Sequence, residues 1–308
     1  LEDIKKIINE VKHKSLMIAQ TPHTFSGIEV ALLDLLGKKE QCPIYSLLGD
    51  IKTTPKIAYA SVLFGKTPQE TFEIGKSIKE KNFKAIKFGW QNFGKNIQLD
   101  EEHLTAAREG IGDELHLMID VGAVWGTNVE EAEKRNNLFK NSKITWLEEP
   151  FYSDAFFEYS ELFKKTNLPL AGGESCHSIE SAKNMIRFGK VKFIQIDAGI
   201  AGGILAGKEI CDFAESNDVQ YVNHTFTSHL QLSSSLQSYA NSTKSLFAEF
   251  PQQLKSLAWD LTENHIDIDE NGCIDIPTGI GHAIKINQSA LEQYKVDVEI
   301  YINKKKIF

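Results

Sequence analysis

Cysteine is sparse: Cys42, Cys176, Cys211 and Cys273 are scattered through 308 residues with no CxxC pair and no histidine cluster nearby. This excludes a zinc knuckle and a disulfide framework and makes a reducing compartment, the cytoplasm, the simplest home. No apolar run approaches the roughly 18 residues that cross a bilayer, so no membrane partner is expected. The opening "LEDIKKIINEVKHK" reads as an amphipathic helix, not a signal peptide. Positive charge is in deficit, with 34 Lys and Arg against 42 Asp and Glu and a net charge of −8. The one compact basic run, "KKK" at 304–306, reads as a solvated tail, and nucleic acid is excluded as a general partner because phosphates need clustered cations. No GxGxxG turn opens the first strand and helix unit, which argues against a dinucleotide-binding sheet.

What is present is an ordinary globular composition, 42% hydrophobic and 25% charged, long enough for one large domain and a smaller companion. Short β-rich runs alternate with helical patterns: "IAYASVLF" (57–64), "AIKFGW" (85–90), "LHLMIDVG" (115–122), "ITWLEE" (144–149), "LPLAGGES" (168–175), "KFIQIDAG" (192–199), "VQYVNHT" (219–225) and "SLFAEF" (245–250). Helices fill the gaps, with Thr67, Asn128 and Ser178 as capping residues. Eight such units predict an α/β fold of the (β/α)8 TIM-barrel type, with chemistry at the C-terminal ends of the strands. The expected division is a helical capping remnant over 1–55, the barrel over 56–255, and a segment over 256–308 that returns to the cap above the barrel mouth.

Side chains two apart on a strand share a face. This puts Lys87 and Gly89 inward on the second strand, Asp120 and Gly122 on the third, Glu148 on the fourth, Glu174 on the fifth, Asp197 on the sixth, His224 on the seventh and Glu249 on the eighth. One polar residue per unit is what a shared pocket requires. Asp120, Glu148 and Glu174 converging in one mouth would repel unless a cation lay between them, and a hard divalent ion with oxygen ligands, Mg2+, resolves the conflict. Asp197 and His224 at equal depth suggest a His and Asp dyad. Glu149 alternates away from Glu148 and is expected to be a solvated loop acid, at most a support for the ligands or Lys87. His23, His177 and His229 are expected to be structural, and Cys176 has no base to make it a nucleophile.

Together "GIEVALLDLLGKKEQCPIYSLLGD" (27–50), "AIKFGW", "MIDVG", "WLEEP", "GGES", "IQIDAGIAGGI", His224 and Glu249 resemble the mandelate racemase subgroup of the enolase superfamily. The resemblance runs from about residue 25 to 285. It implies Asp120, Glu148 and Glu174 as Mg2+ ligands, His224 with Asp197 as the acid/base group, Glu249 as a hydrogen-bond partner of the substrate carboxylate, and Lys87 as the first lysine of the family's KxK motif. Gly89 stands where that motif has its second lysine, and Gly122 where an asparagine is usual. Both exchanges are expected to leave space for a larger substrate or a group from another loop. The N-terminal β part of the family's cap has no counterpart here.

By that resemblance the expected activity is a Mg2+-dependent acid-sugar dehydratase, a lyase acting through proton abstraction next to a carboxylate, an enediolate and loss of the β-hydroxyl. The alternatives are a racemase, epimerase or cycloisomerase using Lys87 as opposing base, or a noncatalytic sugar-acid-binding barrel. The expected partners are a small carboxylate substrate and further copies of the same chain.

Overall fold

A computed structural model describes residues 1–15, 22–252, 254–299 and 301–306. Helices α1 (Glu2–Ser15), α2 (Pro22–Glu40) and α3 (Ile44–Leu47) lead into alternating strands and helices: β1 (Lys56–Leu63), α4 (Pro68–Glu80), β2 (Ala85–Gly89), α5 (Ile97–Ile111), β3 (His116–Asp120), α6 (Val129–Lys134), α7 (Asn136–Asn141) and β4 (Ile144–Glu148). The pattern continues with α8 (Phe156–Thr166), β5 (Leu170–Gly172), α9 (Ile179–Asn184), β6 (Phe193–Ile196), α10 (Ala198–Ala201), α11 (Ile204–Ser216), β7 (Gln220–Asn223), α12 (His229–Gln237) and β8 (Phe247–Pro251). Thr67, Asn128 and Ser178 each accept a backbone N–H in the first turn of the helix that follows, so these starts are where the sequence predicts them.

The eight strands pair in parallel in the order β7-β6-β5-β4-β3-β2-β1-β8. Between β7 and β8 the Asn223 side chain serves as a bridge: its Oδ1 accepts the Glu249 N–H at 3.0 Å and its Nδ2 donates to the Glu249 carbonyl at 3.3 Å. The result is a nearly closed barrel with helices outside it, an α/β fold of the (β/α)8 TIM-barrel type.

One apolar side chain from each strand fills the barrel interior: Tyr59, Ala85, Met118, Trp146, Ala171, Phe193, Val222 and Phe247. Trp146 anchors this layer, with its ring centroid 5.5 Å from Tyr59, 4.7 Å from Phe193 and 5.6 Å from Phe247. Because strand side chains alternate, the residues two further along form the next layer toward the mouth. Those are Ser61, Lys87, Asp120, Glu148, Gly173, Gln195, His224 and Glu249, so the polar layer rests on a packed aromatic floor.

The N-terminal helices pack on the barrel through Ile4, Ile8, Leu33 and Ile44, which share one cluster with Ile204 of α11. They also meet the C-terminal segment, where Asp34 Oδ1 accepts the His282 N–H at 3.0 Å and Ile44 N–H donates to the Gly281 carbonyl at 3.2 Å. The rest of that segment comprises α13 (Ser256–Asp260), β9 (Cys273–Ile274), α14 (Gln288–Gln293) and a two-stranded hairpin, β10 (Tyr301–Ile302) and β11 (Lys305–Lys306). β9 pairs antiparallel with Lys56 and Ile57. The "NGCIDIP" stretch therefore lies at the start of β1, the end of the barrel away from the mouth. The basic run is exposed, as its composition predicts, but its last two lysines form β11, with Lys306 paired to Glu299 at 2.7 Å.

Candidate active site

The strand ends bring Asp120, Glu148 and Glu174 together, with ligand atoms all within 4.8 Å of one another. Asp120 and Glu148 reach this point by strand alternation. Glu174 does not, because β5 ends at Gly172 and alternation gives the inward place to Gly173. The expectation of Glu174 inward on the fifth strand is corrected in this sense: Gly173 has φ +118°, which turns the chain and swings the next side chain into the mouth. A Cβ on Gly173 would lie 2.6 Å from Ile194 Cδ1 and 3.0 Å from the Gln195 carbonyl oxygen, so the turn needs glycine twice over.

Two of the three carboxylates are held by hydrogen bonds. Gly122 N–H donates to Asp120 Oδ1 at 2.8 Å, and the Trp146 indole donates to Glu148 Oε2 at 2.8 Å. Burial first, and mutual repulsion next, push the Asp120 carboxyl well above the usual range. Burial likewise raises Glu148, with Lys87 opposing. A buried acid cluster that resists ionisation is stabilised by a cation. The donor set is hard oxygen only, one carboxylate from each of three residues gathered within 4.8 Å of one another, which is the ligand chemistry that Mg2+ takes. These residues fit that ion.

Lys87 Nζ is buried among the acids, bonded to Glu148 Oε1, 2.9 Å from Glu249 Oε1 and 3.9 Å from Asp120 Oδ2. Burial works against its charge, but Glu148 and Glu249 outweigh that and keep it firmly protonated. Glu249 also accepts the Thr225 N–H at 2.7 Å through its other oxygen. Burial would raise its carboxyl, yet Lys87 and His224 hold it below the usual range, as an anion.

His224 Nδ1 faces Asp197 Oδ2 at 3.2 Å and Nε2 faces Glu174 Oε2 at 3.4 Å. Burial opposes its protonation, but Asp197, Glu249 and Glu174 raise the imidazole to about 10. Asp197 is fixed in turn by the Gly199 N–H at 2.7 Å and the Gln231 side-chain amide at 2.8 Å, both on Oδ1.

The matching family model, "Enolase C-terminal domain-like", covers residues 73–290. The chain belongs to the enolase superfamily. A solved structure from Rhodobacter sphaeroides, titled a predicted mandelate racemase, superposes with a TM-score of 0.95 at 40% identity, over 100% of this chain and 79% of that one. Among curated relatives, D-galactarolactone cycloisomerase of Agrobacterium fabrum is 28% identical over 283 residues, 88% of this chain and 73% of its own length. Arabinonate dehydratase of Saccharolobus solfataricus is 26% identical over 275 residues, 88% of this chain and 71% of its own. The curated relatives include acid-sugar dehydratases and cycloisomerases. The two glycines that depart from the superfamily pattern do not leave open space. Leu63 Cδ2 lies 3.3 Å from where a Gly89 Cβ would stand, and the Trp90 ring covers Gly122 at 3.4 Å.

Glu149 is a correction. It is buried, accepting the Gly173 N–H at 2.8 Å and the Tyr159 hydroxyl at 2.9 Å, and burial followed by the Glu174 charge lifts its carboxyl to about 8. The outer face of a barrel strand meets a helix, here α8, rather than water, and Glu149 braces the turn that carries Glu174 instead of reaching Lys87. Gln231 went unnoticed in the sequence because it arrives from α12. Cys176 is buried, with its thiol pushed up to about 12, in line with the expectation of no nucleophile. Helix-start His229 is buried and accepts the Ile266 N–H at 3.1 Å, a structural histidine as expected.

Proposed function

We propose that the chain is a Mg2+-dependent acid-sugar dehydratase that removes the proton next to a carboxylate and then eliminates the β-hydroxyl. The observation that carries this reading is that, among the described residues, one oriented imidazole stands beside the acid cluster with no second base opposite: Gly89 replaces that lysine and Leu63 fills the place. When bound by Asp120, Glu148 and Glu174, Mg2+ supplies positive charge that offsets these acids, relieves the pull of Glu174 on the His224 proton, and stabilises negative charge on the substrate carboxylate.

The chain's own residues do the rest. Asp197 holds Nδ1, leaving His224 Nε2 to take the proton from C2, and the C–H electron pair moves into an enediolate. The imidazolium then returns that proton to the hydroxyl on C3 as the C3–O bond breaks, water leaves, and the enol tautomerises to the 2-keto-3-deoxy acid. Lys87, kept protonated by its acids, offers a fixed cation to the substrate carboxylate. Glu249, an anion with no proton to give, acts in this reading by holding Lys87 rather than by donating to the substrate as the resemblance implies. Free thiols at all four cysteines are compatible with a reducing cytoplasm.

Cycloisomerisation uses the same C2 proton and the same single histidine, and it is the second reading because one of the relatives carries out that reaction. Lys87 is a poorer candidate for an opposing base, because its Nζ is bound by two carboxylates, Glu148 and Glu249. A panel of acid sugars incubated with Mg2+ separates these readings. Keto acid formed with loss of water supports the dehydratase, an isomer of unchanged mass supports the cycloisomerase, and stoichiometric Mg2+ binding with no turnover of any acid sugar contradicts both.

A further inference from the structure

The mouth of the barrel is chemically divided. Around its rim β3, β4, β5 and β6 deliver Asp120, Glu148, Glu174 and Asp197, whereas the adjoining arc of β7, β8, β1 and β2 carries, besides His224, Glu249 and Lys87, the apolar side chains of Phe226, Pro251, Leu63 and Trp90. These four side chains line the same cavity of about 320 Å³ as Lys87, Asp120, Glu174 and His224. Trp90 is 47% exposed and Phe226 60% exposed, so two aromatic rings stand open to water beside the reacting groups. Both are held in place: the Trp90 ring lies over Gly122, whose φ of +56° and missing side chain admit it, and Phe226 stands edge-on to the His224 ring with centroids 5.1 Å apart.

Apart from Lys87, His224 and Glu249, which the reaction at the carboxylate end already uses, the polar side-chain groups among the described residues lining this arc are the Ser61 hydroxyl and the Trp90 indole N–H. An acid sugar carries a hydroxyl on nearly every carbon, and each one pressed against Leu63, Phe226 or Pro251 loses water without gaining a partner. A second carboxylate would fare worse, because Lys87 already serves Glu148 and Glu249.

We propose that the end of the substrate remote from its carboxylate is apolar: a 2,3-dihydroxy acid ending in a methyl or longer alkyl group, not in hydroxymethyl or a second carboxylate, with Trp90 and Phe226 as the residues that select it. This rests on the reading of the site as an acid-sugar enzyme and narrows it. A hydrophobic pocket discriminates a methyl end from a hydroxymethyl end by about tenfold to a hundredfold.

The test uses the full chain with Mg2+ and matched pairs of 6-deoxyhexonates and hexonates spanning the stereoisomers. Binding is measured by calorimetry, and turnover by keto-acid formation. The expected result is a preference of at least about tenfold for the deoxy member of the best pair, in Kd and in kcat/KM. Trp90→Ala and Phe226→Ala should each reduce that ratio several-fold, a readout that a general loss of activity does not move. Tighter binding of the deoxy acid without turnover of either member supports the apolar arc and overturns the proposed reaction. Turnover of both members with equal kcat/KM supports the reaction and overturns the apolar arc. Preference for a hexonate or a sugar diacid, or binding of no pair at all, also overturns it.

Discussion

The two halves of the barrel mouth solve different problems with the same scaffold. The half built by β3 to β6 crowds carboxylates that destabilise one another and remain together because strand alternation, the Gly173 turn and hydrogen bonds from Gly122 and Trp146 hold them. The half built by β7, β8, β1 and β2 holds its rings by packing, with Leu63 and Trp90 occupying what two glycines leave free. One half carries electrostatic tension that a cation relieves, whereas the ring contacts of the other need no charge to hold them. That difference predicts where each half breaks.

The largest effect is expected in the acidic half. In thermal unfolding, Mg2+ at a hundred times its Kd should stabilise the native chain by roughly 2.7 kcal/mol, whereas Glu148→Gln should remove most of that gain at the same Mg2+ concentration. An equal shift in both proteins would remove Glu148 from the cation site. Next comes the turn: Gly173→Ala places a Cβ against Ile194 and the Gln195 carbonyl at positive φ, costing roughly 2 kcal/mol by urea denaturation. It should weaken Mg2+ binding as well, because Glu174 moves with the turn.

Gln231→Leu leaves Asp197 Oδ1 with the Gly199 N–H alone. Losing a hydrogen bond to a charged acceptor should lower kcat about tenfold with little change in KM or in Mg2+ affinity. A variant with unchanged kcat would show that the dyad needs no support from α12.

Behind the apolar half, burial first and His265 second lower His229 to about 4, while Asp267 favours its charge. Its unfolded value lies near 6.5. Between these two values the unfolded chain takes up a proton that the folded chain refuses, so this contribution is present above pH 6.5 and is lost as pH falls toward 4. The expected loss is on the order of 1 kcal/mol after allowance for screening around the exposed Trp259 and half-buried His265. His229→Gln should flatten stability over that interval. The smallest effect is Tyr159→Phe, which removes one hydrogen bond from Glu149 and should cost about 1 kcal/mol or less in a denaturant titration.

How far the sequence could be read follows the same division. Lys87, Asp120, Glu148, Asp197, His224 and Glu249 were legible because each lies in phase with its strand, two or four residues beyond the apolar floor. Glu174 is out of phase, and only the paired glycines before it signal that the chain turns there. The apolar arc was not legible: Trp90 and Phe226 lie beyond the ends of β2 and β7, where alternation no longer fixes direction. Glu149 was misplaced by treating the outer face of a strand as solvent, although in a barrel that face belongs to the helices. Its neighbour in "FFEYSELFKKT", Tyr159, was the available signal.

The central claim is that His224 takes the C2 proton in a pocket completed by the acid cluster. Deuterium incorporation at C2 of a bound acid sugar in D2O, followed by NMR for the native chain and His224→Asn, tests it most directly. The account predicts Mg2+-dependent exchange in the native protein and a loss of roughly 10²- to 10⁴-fold in the variant. Exchange that continues undiminished in His224→Asn would contradict it.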